Sequence, residues 1–271
     1  MNELLEVIQL PFMQRAIIGG IIVSILCAIV GVFVTLRKES FLADAVSHAS
    51  LAGVALAFLV AGQPTVFALI TGIIMSTGIV FLKKRTTVSS DALIGIVYSF
   101  LFALGIIIIS AVPGYKPELT TYLFGSLLSV GKDDITLSLI VFVIAISIFS
   151  IFYRQFLFLT FDSESAYLHG IRTSKLEYLL AILTSITIII SIKIVGIILV
   201  TAMLLIPATS ARMLSKSFKT MIPFSIVQSV CSVIVGIAFA FFFNLPIGAT
   251  IVVVSGLIIA LIFLAKMLTT R

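Results

Sequence analysis

The sequence predicts an all-α, polytopic integral membrane protein with eight or nine transmembrane helices in a single domain over residues 1–271. Three observations carry this. First, 61% of the 271 residues are hydrophobic and only 10% are charged, where a soluble domain sits nearer half apolar and a quarter charged. Second, apolar stretches of spanning length recur along the whole chain. Third, the basic residues gather at alternate ends of those stretches.

A helix needs about 20 apolar residues, rising ~1.5 Å each, to cross ~30 Å of hydrocarbon. Such runs lie at about residues 15–36, 41–61, 65–82, 91–112, 134–153, 176–192, 194–213, 220–243 and 247–265. Before the first, M-N-E-L-L-E-V-I-Q-L-P-F-M-Q carries two Glu and no basic residue, the opposite of a secretory leader. The fourth follows T-T-V-S-S, which makes Asp91 its expected N-cap. Between the fourth and fifth, T-Y-L-F-G-S-L-L-S-V is too short to span and is expected to dip into the membrane as a half-helix. Lys193 alone separates the sixth from the seventh, which predicts a tight hairpin; a merged pair would reduce nine spans to eight. Cys27 and Cys231 fall within apolar runs and are expected to pack as small hydrophobic residues rather than form a disulfide or a zinc site.

If every run crosses once and the N-terminus is outside, the inside positions are Arg37, Lys38, Lys83, Lys84, Arg85, Arg154, Arg172, Lys175, Arg212, Lys216, Lys219, Lys266 and Arg271. Arg15, Lys116, Lys132 and Lys193 remain outside. This asymmetry fixes an outside N-terminus and a cytoplasmic C-terminus. It also explains the net charge of +6 without nucleic acid as a partner.

Within the second run, D-A-V-S-H places Asp44 and His48 four residues apart, on one helix face and ~6 Å apart along the axis. A helix starting near Ser40 puts His48 about 12 Å deep, near the middle of the hydrocarbon. An ionised carboxylate costs about 2.5–3.5 kcal/mol at the centre of a span and less near its end. Either residue alone reads as a capping or satisfied core group; together on one face they point to an ion pathway. Beside them Ala45, Ala49, Gly53, Ala57 and Ala61 repeat every fourth residue, a smooth stripe for close helix approach. Asp44, His48 and Ala52 are expected to border open space.

The longest inside loop contains T-F-D-S-E-S-A-Y-L-H-G-I-R. Asp162 can cap a short helix, Glu164 suits its positive end, and Gly170 suits its C-terminal stop. Such a helix could lie passively at the interface or serve as a lever for a soluble partner. G-S-L-L-S-V-G-K-D imitates a phosphate-binding loop, but five residues separate Gly125 from Gly131 where four are required, and Asp133 replaces the magnesium-binding hydroxyl. ATP is not expected to bind there, and the chain is not expected to be an enzyme.

Six blocks, in order, resemble the permease subunit of bacterial zinc/manganese ABC importers: P-F-M-Q-R-A at 11–16, L-A-D-A-V-S-H-A-S-L-A-G-V-A-L at 42–56, T-Y-L-F-G-S at 121–126, F-D-S-E-S-A-Y-L-H-G-I at 161–171, V-G-I-I-L-V-T-A-M-L-L-I-P-A-T-S-A-R at 195–212 and L-P-I-G-A-T-I-V at 245–252. The resemblance implies a homodimer in the bacterial plasma membrane, two cytoplasmic ATP-binding subunits and an extracytoplasmic metal-binding protein. No cofactor is held permanently; a divalent metal, Zn²⁺ ahead of Mn²⁺ or iron, is cargo. It matches Asp44 and His48 to the family's metal-binding pair, and 161–171, with Phe161, Asp162, Glu164, Ala166 and Gly170, to the helix coupling to the ATPase. Ser163 departs from the family's frequent Pro, which pre-sets the first helical turn. An ion-coupled secondary transporter with Asp44 as proton site, and a scaffold recruiting a partner through 161–171, are the alternative readings.

Overall fold

The computed structural model describes residues 9–111, 127 and 130–269, and those residues form helices and no strands. Their helices are α1 (Pro11–Leu36), α2 (Phe41–Leu59), α3 (Pro64–Arg85), α4 (Ser90–Ala111), α5 (Lys132–Ile151), α6 (Tyr153–Phe161), α7 (Ser163–Leu168), α8 (Thr173–Val195), α9 (Ile197–Leu214), α10 (Phe218–Phe243) and α11 (Ile247–Thr269). Among the described residues, nine of them, all except α6 and α7, are long and apolar enough to cross a membrane. T-Y-L-F-G-S, and with it most of the expected half-helix and the first glycine of the phosphate-loop imitation, lies outside the described residues.

The helix ends follow local chemistry. Pro64 opens α3, where its missing N–H and fixed φ cost nothing, and Asn244 in the left-handed region closes α10. Two expectations need correction. Lys193 is not the hairpin; it lies in the last turn of α8, and the break comes at Gly196, whose φ of 83° suits a residue without Cβ. Asp91 is not the cap of α4; it lies in the first turn, and the Ser89 hydroxyl accepts from the Ala92 amide at 3.4 Å. A side chain at the second helical position, two residues past the cap, cannot reach back to the N2 or N3 amides as an N-cap does.

The described chain gathers into two compact units, one of residues 9–32, 127, 130–143 and 191–269, the other of 33–111 and 144–190. In the first, α9, α10 and α11 pack pairwise, and hydroxyls tie α10 to α1. Ser225 donates to the Ala28 carbonyl at 3.2 Å and Ser229 to the Ser24 carbonyl at 3.1 Å, all four residues fully buried. Without water to drive association, spans hold together by close packing and such bonds. Cys27 is also buried here, its thiol 3.6 Å from the Ser191 hydroxyl, whereas Cys231 is exposed and so does not pack as expected; both are free thiols.

In the second unit α2 is the central helix, packed by α3 and α4. The small stripe has the expected role as far as Ala57. Ala45, Ala49 and Ala57 are buried, and α3 lies so close that a Cβ on Gly53 would meet the Phe67 carbonyl and the Thr71 hydroxyl. Ala61 has left the helix, with a φ of 53°. Ala52 does not border open space: Gly105 of α4 packs onto its backbone.

Candidate functional site

Asp44 enters α2 in its first turn, and one turn later follows His48; both side chains are half-buried. The serines around them are satisfied within the helix, Ser47 donating to the Ala43 carbonyl at 2.7 Å and Ser50 to the Ser47 carbonyl at 2.5 Å. The imidazole is different. His48 Nδ1 is buried with no hydrogen-bond partner among the described residues, and its ring is held edge-on by two aromatic side chains of α4, Tyr98 at 5.0 Å and Phe102 at 4.9 Å between ring centres. Tyr98 and Phe102 stack on each other at 6.0 Å. Where the sequence suggested space beside the polar pair, α4 supplies an aromatic wall. Its signal was present in D-A-L-I-G-I-V-Y-S-F-L-F, where Tyr98 and Phe102 stand four residues apart on one helix face.

An imidazole and a carboxylate are the donors that borderline divalent metals accept. Among the described residues no three His, Cys, Asp or Glu side chains come together. Among those residues Asp44 and His48 stand as a pair of donors rather than part of a closed tetrahedral site. An open donor set of this kind suits an ion in passage better than a structural metal.

A second polar cluster stands at the ends of α1, α2, α3 and α8 in the same unit. Arg37 reaches Glu39 at 3.2 Å and Glu177 at 3.5 Å; Lys83 pairs with Glu39 at 3.0 Å and Lys84 with Glu177 at 2.8 Å. Arg37, Glu39, Lys83 and Glu177 border a small cavity with Thr184, and Arg37 Nε and Thr184 Oγ1 are buried without partners among the described residues. Arg37, Lys83 and Lys84, among the basic residues expected on one side of the membrane after the first and third spans, are thus gathered by two carboxylates. In the other unit Lys193 pairs with Asp134 at 2.7 Å. Single-sequence reading assigned topology to the basic residues but did not see Glu39 and Glu177 as their partners.

The expected short helix is α7, at 163–168 rather than 161–171, and it follows α6, which the sequence reading took as loop. Asp162 is its N-cap: Oδ1 accepts from the Glu164 and Ser165 amides at 3.1 and 2.9 Å, and Oδ2 accepts from the Ser165 hydroxyl. The Ser165 hydroxyl and these amides hold the Asp162 carboxyl below the usual carboxylate range. Glu164 occupies the first turn, Ala166 is buried, and Gly170, at a φ of 78°, turns the chain away. Phe161, Tyr167 and Leu168 project from this segment, 64%, 68% and 81% exposed. Tyr167 and Leu168 were not singled out from the sequence; apolar side chains on a six-residue polar helix were the clue.

Residues 9–269 match the ABC 3 transport family. The chain is similar to the manganese transport system membrane protein MntC of Listeria monocytogenes, with 36% identity over 94% of this chain and 91% of that protein. It is also similar to the high-affinity zinc uptake system membrane protein ZnuB of Haemophilus influenzae, with 32% identity over 91% of this chain and 94% of that one. Its fold matches a chain of PsaBC from Streptococcus pneumoniae, solved in complex with Fab, at a TM-score of 0.86 and 32% identity, over 97% of this chain and 95% of that chain.

Proposed function

The chain belongs to the ABC 3 transport family, and from that premise we propose that it is the membrane-spanning subunit of an ATP-driven importer of divalent transition-metal ions. The observation that carries the reading is the Asp44–His48 pair, two metal donors one turn apart on the central helix α2, in a span where polar groups are costly unless used. The ion passes these two side chains on its way inward. The energy comes from separate cytoplasmic ATP-binding subunits, which couple through the segment from Phe161 to Gly170: Asp162 and Glu164 shape the start of α7, Ala166 anchors it, and Gly170 sets its exit. An extracytoplasmic metal-binding protein delivers the ion, and a second copy of the chain completes the membrane part. The N-terminus lies outside and the C-terminus in the cytoplasm of a bacterial plasma membrane.

Zinc ahead of manganese is the finer reading; the His48 imidazole suits zinc, while the Asp44 carboxylate keeps the site open to manganese. The relatives named for manganese and zinc are 36% and 32% identical, a difference that carries no preference. Uptake of Zn²⁺ and Mn²⁺ by vesicles containing the chain and its ATPase tests both levels. Asp44→Asn and His48→Ala are each expected to abolish ATP-dependent uptake while expression and ATPase association persist. Full uptake in both variants sinks the pathway. Uptake that follows the proton gradient with ATP absent sinks the ATP-driven reading, and preference for Mn²⁺ over Zn²⁺ sinks the finer one.

A further inference from the structure

A metal-binding histidine ordinarily donates its second ring N–H to a carboxylate or carbonyl, which fixes the ring plane and raises the basicity of the ligating nitrogen. Among the described residues His48 has no such partner at Nδ1, although that atom is buried. Hydrogen bonding therefore does not set the ring plane from this side. The contacts that do are the edge-on rings of Tyr98 and Phe102, both near 5 Å, which lie in the range for favourable aromatic packing. The two clamp rings are themselves stacked, so they act as one rigid wall. Gly105, one turn beyond Phe102, seats α4 directly against the Ala52 backbone of α2, one turn beyond His48. This fixes the wall's distance from the helix that carries the pair.

We propose that Tyr98 and Phe102 are positioning residues for ion passage, an aromatic clamp that orients the His48 imidazole toward the cargo ion in place of a hydrogen-bonded partner. The inference rests on the assignment of Asp44 and His48 to the ion pathway and names what holds the second of them in place. The arrangement has a functional consequence. A histidine oriented by packing at its Nδ1 side keeps the geometry of a ligand but lacks the added basicity that a carboxylate partner there would confer. Such a ligand captures an ion and also releases it, as transport requires. The clamp works by shape, so the Tyr98 hydroxyl is not needed.

The test is binding of Mn²⁺ alone, then Zn²⁺ alone in competition, to the full chain in lipid nanodiscs. Electron-spin-echo detection of ¹⁴N coupling to bound Mn²⁺ reports whether the imidazole is a ligand. His48→Ala is expected to lose both binding and the nitrogen signal. Tyr98→Leu and Phe102→Leu are each expected to weaken binding on the order of tenfold, the lower range seen when an outer-shell partner of a metal ligand is removed. Their nitrogen signal should weaken or broaden, a change that general destabilisation of a folded, monodisperse sample would not produce. Tyr98→Phe should retain both affinity and signal. Wild-type binding in both leucine variants, with His48→Ala inactive, overturns the clamp and leaves the pathway intact. Loss in Tyr98→Phe equal to that in Tyr98→Leu also overturns it, since the hydroxyl would then be the active part. Wild-type binding in His48→Ala overturns the pathway assignment itself.

Discussion

Asp162 shows how a single side chain both starts an element and gives it a pH dependence. Its carboxylate accepts from the Ser165 hydroxyl and from two amides at the start of α7, and these bonds favour the charged form. A carboxyl held below its usual range contributes fully above that range and loses its contribution as pH falls through the lowered value. The cap is therefore constant across neutral pH and fails only below about pH 4. Hydrogen exchange at the Glu164 and Ser165 amides should be flat from neutral pH down to that point, after correction for intrinsic rates, and then lose protection. Asp162→Ala should lose that protection at every pH, and Asp162→Asn, which keeps an acceptor, should lose less. Protection in the alanine variant equal to wild type would refute the cap.

Among the helices, close approach and charge burial give different predictions. Gly53 lies where α3 crosses α2, with backbone atoms in the space a Cβ would occupy. A backbone cannot swing aside as a side-chain tip can, so Gly53→Ala should destabilise the folded chain by about 1–3 kcal/mol. Gly78 of α3 has nothing within 4 Å of an added Cβ, so Gly78→Ala should cost nothing, alanine being the better helix former. The ion-pair cluster is graded in the same way. Arg37 and Glu177 are largely buried, at 11% and 19% side-chain exposure, whereas Lys193 is 39% exposed. Glu177→Gln leaves Arg37 and Lys84 with weaker partners and should cost about 2 kcal/mol; Lys193→Met should cost less than about 1 kcal/mol. Thermal unfolding in detergent orders the four variants, and a Lys193 effect exceeding that of Glu177 would contradict the burial argument.

The same elements show what the sequence made legible. Span length, the Asp44–His48 spacing and the Asp162 and Gly170 signals are local, set by rise per residue, by helical periodicity and by turn chemistry. Gly196 as the true break was missed because a charged residue three positions earlier looked like the stronger boundary, although a long Lys stem can lie along a helix within a span while its amine reaches a partner such as Asp134. The aromatic wall on His48 and the carboxylates under Arg37 were missed for another reason. They join α2 to α4, and α1, α2 and α3 to α8, and periodicity within one helix does not say which helix faces which.

Orientation is a property of the whole chain. Nine candidate spans among the described residues, an odd number, are what the proposed placement of the two ends on opposite sides of the membrane requires, each span crossing once. The contacts within each unit respect the same alternation. Arg37, Lys83, Lys84 and Glu177 meet at the ends of α1 and α3 and the start of α8. In the other unit the Lys266 amine donates to the Met213 carbonyl at 3.1 Å, joining the ends of α9 and α11. These are the ends carrying the basic excess, which the positive-inside rule places in the cytoplasm. The test is labelling by a membrane-impermeant maleimide on intact cells, in a Cys231→Ala background because Cys231 is exposed while Cys27 is buried. Cysteines at Gln63 and Leu245, exposed in the turns after α2 and α10, should label from outside. Cysteines at Thr87 and Ser217, exposed after α3 and α9, should label only once the membrane is opened. The reverse pattern would invert the molecule and place the Asp162 helix outside, where no ATPase could reach it. A mixed pattern, with Gln63 and Thr87 labelled from the same side, would instead remove α3 as a span and break the alternation on which the orientation depends.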